Sequence, residues 1–170
     1  GSRLAYSAAN DLNGIDLWLV DRDGNNHQRL VACGADKCTS PTWSPEGQQI
    51  AFVRQAAQEA FARVWLVHLV GGHYSPLFPD AAIYGSAALW SPDGRRISVY
   101  DPAWKLIRIL DLETNQSTPI NTNAQTAGSW SSDGRHFFYV DLDKSTLPPR
   151  GMAYQVEMGS GLVTPLFTSG

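Results

Sequence analysis

Cys33 and Cys38 are the first residues whose type and spacing suggest chemistry; they flank Gly-Ala-Asp-Lys. Five apart in a short polar segment, they suit a disulfide closing a small loop, which needs an oxidising compartment. A metal pair would need a second Cys/His cluster to complete a tetrahedral site, and none follows. Two unpaired thiols are the remaining reading. Asp21-Arg-Asp23-Gly24-Asn25 begins like a calcium loop, but position 32 is Ala where the twelfth residue should be acidic. A hairpin turn fits it better. His68 and His73 lie five apart across an expected hairpin, and His27 and His136 stand alone, with no metal-like pairing. Serine-based hydrolysis would need a Gly-x-Ser-x-Gly elbow, and Gly159-Ser160-Gly161 lacks that spacing. These residues support no catalytic, metal or cofactor assignment.

The bulk composition narrows the classes further. At 170 residues the chain fits one ordinary domain, and its 43% hydrophobic and 17% charged residues are those of a globular chain, not a disordered one. A net charge of −3 with scattered Lys and Arg lacks the footprint of a nucleic-acid binder. No apolar run is long enough to span a bilayer, so no membrane contact is expected of this segment. No signal-peptide pattern opens the chain, and Gly1-Ser2 reads as a cloning scar.

The elements that position these residues come from a repeat. Pro41-Thr-Trp43-Ser-Pro-Glu-Gly47 precedes Gln-Gln-Ile50-Ala-Phe52. Ala88-Leu-Trp90-Ser-Pro-Asp-Gly94 precedes Arg-Arg-Ile97-Ser-Val99, and Gly128-Ser-Trp130-Ser-Ser-Asp-Gly134 precedes Arg-His-Phe137-Phe-Tyr139. Trp and the first apolar residue of the next strand are seven apart in all three. Each string reads as strand, tight turn, strand. The second of these strands also opens the chain, as Leu4-Ala-Tyr6, without a Trp strand before it. Third strands follow around Trp18, Trp65, Arg108 and Tyr154, and fourth strands end twelve residues later at Leu30, Leu77, Ile120 and Leu166.

Four short antiparallel strands per unit, recurring every 40 to 47 residues, predict an all-β chain of β-propeller blades. Three are complete, and the N-terminal one has three strands. Their expected bounds are about 3–32, 40–79, 87–122 and 127–168, forming one array over 3–170. Such a sheet has two apolar faces, so blades must stack to bury both. Trp43, Trp90 and Trp130 are expected to pack between blades, with the Asp of each motif holding its turn.

At Trp-Ser-Pro-Asp-Gly followed by an Ile-Ala-Phe-type strand, the sequence resembles the TolB-like propeller repeat, also called the WD40-like PD40 repeat. The match is close at 41–53 and 88–100 and good at 128–140. The resemblance implies a module of periplasmic scaffolds, of serine-peptidase propellers or of extracytoplasmic parts of membrane-anchored signalling proteins. It implies binding of proteins, peptides or small ligands more than catalysis.

The joins that vary in length lie between the second and third strands and between blades, which places them on one rim, where binding specificity usually lives. That rim would carry Asn10, Asp11, Asn13, Gln55, Gln58, Glu59, Phe61, Tyr84, Trp104, Lys105, Asp143, Lys144 and Arg150, beside the Cys33–Cys38 loop. Phe61 and Trp104 fall outside the strand registers and suit an interface. The reading is a non-catalytic, extracytoplasmic module recognising a protein, peptide or glycan. One alternative is the substrate-gating propeller of a larger prolyl-oligopeptidase-like serine peptidase. Another is a self-assembly element that completes a larger ring as a homodimer.

Overall fold

The seven-residue spacing is a pairing register. In the structure, a computed structural model describing residues 1–145 and 147–167, Trp43 lies opposite Ile50 and Trp130 opposite Phe137. Fifteen strands form among the described residues, with no helix. The first blade holds β1 (Arg3–Ala9), β2 (Ile15–Asp21) and β3 (Gln28–Val31). The second holds β4 (Lys37–Trp43), β5 (Gln49–Gln55), β6 (Arg63–His68) and β7 (Tyr74–Pro76). The third runs through β8 (Ala88–Trp90), β9 (Arg96–Asp101), β10 (Leu106–Asp111) and β11 (Gln116–Asn121). The fourth runs through β12 (Ser129–Trp130), β13 (His136–Asp143), β14 (Arg150–Glu157) and β15 (Val163–Pro165). The expected end of the fourth blade, residue 168, lies outside the described residues.

Neighbours within each blade pair antiparallel in chain order, and a single parallel bridge, Ile15 to Lys37, joins the first blade to the second. The chain divides into two compact units, Gly1–Ala88 and Leu89–Gly170. In the first unit Leu17, Leu19 and Val31 of one blade meet Ile50, Phe52 and Val67 of the next, with Trp43 and Trp65 against them. In the second, Tyr100, Ile107 and Ile109 meet Phe137 and Val156, and Trp130 packs against the cluster. Trp43 and Trp130 therefore fill the space between stacked sheets. Both are partly buried there, and the apolar surface they remove from water adds to the packing of the sheets.

The repeated motif also has a polar role, carried by its serine. Ser91 Oγ accepts from Arg96 N at 2.8 Å and donates to Asp93 Oδ1, while Asp93 Oδ1 accepts from Arg95 N at 3.0 Å. Ser131, Asp133, Arg135 and His136 repeat the arrangement, with His136 N reaching Ser131 Oγ at 2.9 Å and Arg135 N reaching Asp133 Oδ1 at 3.0 Å. In the second blade Gln49 N reaches Ser44 Oγ at 3.0 Å, with Glu46 in the aspartate position. The motif glycines take φ of 74°, 71° and 68° at Gly47, Gly94 and Gly134, where a Cβ would be strained.

Candidate functional site

Several of the residues assigned to the rim fall into two groups, one in each unit. In the first unit the disulfide loop is the hub. Cys33 and Cys38 are joined, their Cα atoms 6.2 Å apart, and both are buried. The loop folds Asp36 outward from this anchor. Its carboxylate takes the Arg54 guanidinium at 2.8 Å through both Nε and Nη2, and accepts from Ala57 N at 3.2 Å. Its carbonyl accepts from Ile15 N at 3.0 Å. Asn10, on the first hairpin, donates to Gly34 O at 2.8 Å and to the buried Asp16 at 2.7 Å. Three variable connections are thus tied to one another by hydrogen bonds.

Next to this hub, Gln55 Nε2 donates to Glu59 O at 3.2 Å, and Glu59 pairs with Arg63 at 3.2 Å. Phe61 and Tyr84 place their ring centroids 5.3 Å apart, and the Arg63 guanidinium lies 5.5 Å from the Tyr84 ring. Arg54 lies 5.1 Å over Trp65. Asp36, Arg54, Ala56, Glu59, Arg63 and Trp65 line a small cleft of about 170 Å³. Gln58 is exposed beside these residues in sequence, and Asp11 is exposed on the first hairpin next to Asn13, whose φ is 60°.

In the second unit the long β13–β14 hairpin opens a larger pocket of about 670 Å³. The expected Asp143, Lys144 and Arg150 line it, together with Asn123, Asp141, Met152 and Tyr154. Asp141 Oδ1 accepts from Asn123 N at 2.7 Å and Leu142 N at 2.8 Å, and Lys144 Nζ donates to Asn123 Oδ1 at 3.2 Å. The Ser145 hydroxyl and N–H, with the Arg150 charge, hold the Asp143 carboxyl below the usual carboxylate range. Tyr139 stacks on Tyr154 at 5.2 Å. Burial, with Tyr154 and Asp141 nearby, pushes the Tyr139 hydroxyl up. The pocket offers both charge signs and the Tyr154 ring, groups that can hold a polar ligand.

Trp104 stands on the β9–β10 turn and is 66% exposed; Lys105 beside it takes a φ of 53°. Sequence reasoning missed Asp36, Arg54, Asn123, Asp141 and Met152. Each reaches its place by tertiary contact, and only the position of Asp36 inside the cysteine loop hinted at a role. The acidic run at Asp21 is a hairpin turn: its carboxylates take Asn25 N and the Asn25 and Asn26 side chains. Ser160 sits in the β14–β15 turn, where its hydroxyl donates to Glu157.

Neither a family model nor a curated protein sequence matches the chain. Solved structures do. TolB from Acinetobacter baumannii is 24% identical with a TM-score of 0.70, over 99% of this chain and 42% of that one. The β-propeller domain of the Trilobed protease from Pyrococcus furiosus is 17% identical with a TM-score of 0.75, over 99% and 55%. Acylaminoacyl peptidase from Pyrococcus horikoshii is 16% identical with a TM-score of 0.66, over 98% and 31%. The chain spans less than two thirds of the length of each. At these identities the likeness is one of fold, and that fold is the β-propeller of TolB and of peptidase propeller domains.

Proposed function

We propose that the chain is a non-catalytic binding module that recognises a protein, peptide or glycan through its variable-loop rim. The observation that carries this reading is the pocket of about 670 Å³ at the β13–β14 hairpin, where Asp143, Lys144 and Arg150 meet Asn123, Asp141 and Tyr154. Convergent charged and aromatic groups in a concave site on a rigid sheet are what recognition of a polar ligand needs. The exposed Trp104 supplies an aromatic of the kind that anchors interfaces. The disulfide favours an extracytoplasmic location, because such bonds persist in oxidising compartments.

The test is to pan a displayed peptide library and probe a glycan array with the chain and with its Lys144→Ala/Arg150→Ala variant. Ligands held by the first and lost by the second support the reading. Ligands held equally by both would move recognition off this pocket.

The likeness to peptidase propellers favours a second reading, in which the chain gates substrate entry to a serine peptidase. Sequencing the parent gene tests it, since that reading requires an α/β-hydrolase segment in the same open reading frame.

A further inference from the structure

We propose that His68 and His73 form a binding site for a divalent transition-metal ion of the zinc, nickel or copper kind, at the tip of the β6–β7 hairpin. Their spacing in sequence is no metal motif; the hairpin brings the rings together. His68 ends β6, and its N–H donates to His73 O at 3.0 Å, one step beyond the Val67–Tyr74 pair. The two residues therefore stand opposite each other across an antiparallel pair, where side chains are neighbours. Their ring centroids are 5.7 Å apart, with the planes tilted by 40°.

That separation is close to what one shared ion requires. Imidazole nitrogens bind such ions at about 2.0–2.1 Å. Two rings that meet one ion at between a right angle and the tetrahedral angle then have centroids roughly 4.5–5.2 Å apart. Closing from 5.7 Å into that range takes a small turn of the exposed His73 side chain and no change of backbone.

Both rings are already oriented by their neighbours. His68 Nδ1 lies 3.3 Å from the side-chain amide of Gln49, its partner on β5, which leaves Nε2 as the ligating nitrogen. A metal-bound histidine carries a hydrogen-bond partner on its second ring nitrogen, and the Gln49 amide, which has both a donor and an acceptor end, fills that place. The His73 ring lies against Gly71, where a Cβ would stand 2.8 Å from its Cε1 and 3.1 Å from its Nδ1. Glycine at that position is what lets the ring fold back over the turn.

The donor set selects the ion. Imidazoles suit zinc, nickel and copper, whereas calcium and magnesium take oxygen ligands. Among the described residues no cluster of three or more His, Cys, Asp or Glu side chains gathers. The site thus offers two protein ligands and leaves the other coordination positions to water, so the ion exchanges with solvent. When bound, it ties β6 to β7.

The test titrates zinc chloride into the isotope-labelled chain near neutral pH and follows the imidazole signals by NMR. Saturable one-to-one binding at micromolar zinc is expected, with the His68 and His73 rings shifting together and those of His27 and His136 unmoved. His73→Ala removes an exposed side chain. Its metal-free unfolding midpoint should match the parent's, while its zinc affinity should fall at least tenfold. Gln49→Ala should weaken binding about tenfold by releasing the His68 ring. Zinc well above its dissociation constant should raise the unfolding midpoint of the parent and leave that of His73→Ala unchanged, because an ion that binds only the folded hairpin stabilises it. Equal affinity in His73→Ala, shifts confined to other groups, or no binding at millimolar zinc would each overturn the proposal.

Discussion

The wholly buried Asp101 carboxylate meets the Arg108 guanidinium at 3.0 Å, and its other oxygen accepts from the backbone of Ala103 and Trp104. Arg108 occupies the third-strand position that the other blades fill with Trp18, Trp65 and Tyr154. The third blade thus replaces an aromatic by an ion pair, and the same pair fixes the turn that displays Trp104. Asp101→Ala would strand the Arg108 charge at a site only 17% exposed and leave two N–H groups without an acceptor. The expected loss is about 3–5 kcal/mol, read by urea unfolding. An Asp101→Ala chain as stable as the parent would show that the pair contributes nothing.

Trp104→Ala separates display from stability. The side chain is mostly in solvent, so its removal should change the unfolding free energy by less than about 0.5 kcal/mol. Ligands recovered with the parent chain should bind the variant at least tenfold more weakly. A large drop in thermal midpoint would place Trp104 in the packed core instead.

The serine clasp makes a pH-dependent prediction. Burial pushes the Asp93 carboxyl up, but the Ser91 hydroxyl, the Arg95 N–H and the Arg96 charge outweigh it and hold it below its ordinary value. At Asp133 the Ser131 hydroxyl and the Arg135 N–H act in the same direction. A carboxylate whose folded value is lowered adds stability above its unfolded value, about 4, and loses it as pH falls through the folded value. Ser91→Ala should cost about 1 kcal/mol at pH 7, because it removes the acceptor of the part-buried Arg96 N–H. Denaturant curves from pH 7 down to 2 should show the gap to the parent narrowing below pH 4, as protonation removes the Asp93 part. A gap that widens on acidification would contradict this assignment.

Much of this fold is legible in the sequence because its determinants are local. Trp43 and Ile50 are seven residues apart and directly paired, so a short repeated string fixes both strand identity and register. The serine at the centre of that string was equally visible, at 44, 91 and 131, yet its role depends on an N–H that only the folded turn brings to it. The rim is different. Arg54 finds Asp36 across 18 residues, and Asn123 finds Asp141 across 18. Neither pair shares a motif or a strand, so composition and spacing pointed to the loops without naming the partners.

Gly14 tests how far the disulfide loop depends on the first blade. A Cβ at Gly14 would lie 2.0 Å from Gly34 O and 2.5 Å from Asp36 O, both backbone atoms of that loop. The loop cannot retreat freely, because Cys38 is fully buried and Asp36 O holds the N–H of Ile15. Gly14→Ala should therefore destabilise the chain by about 3 kcal/mol, at the upper end for an overpacked site. It should also loosen Asp36 from Arg54, since both contacts require the same loop position. The parent disulfide, being buried, should resist reduction and alkylation in native buffer. In Gly14→Ala the cysteines should label at least tenfold faster under the same reductant. Equal labelling rates, with an unchanged unfolding midpoint, would mean that the loop tolerates the extra methyl group and is not locked to the first blade.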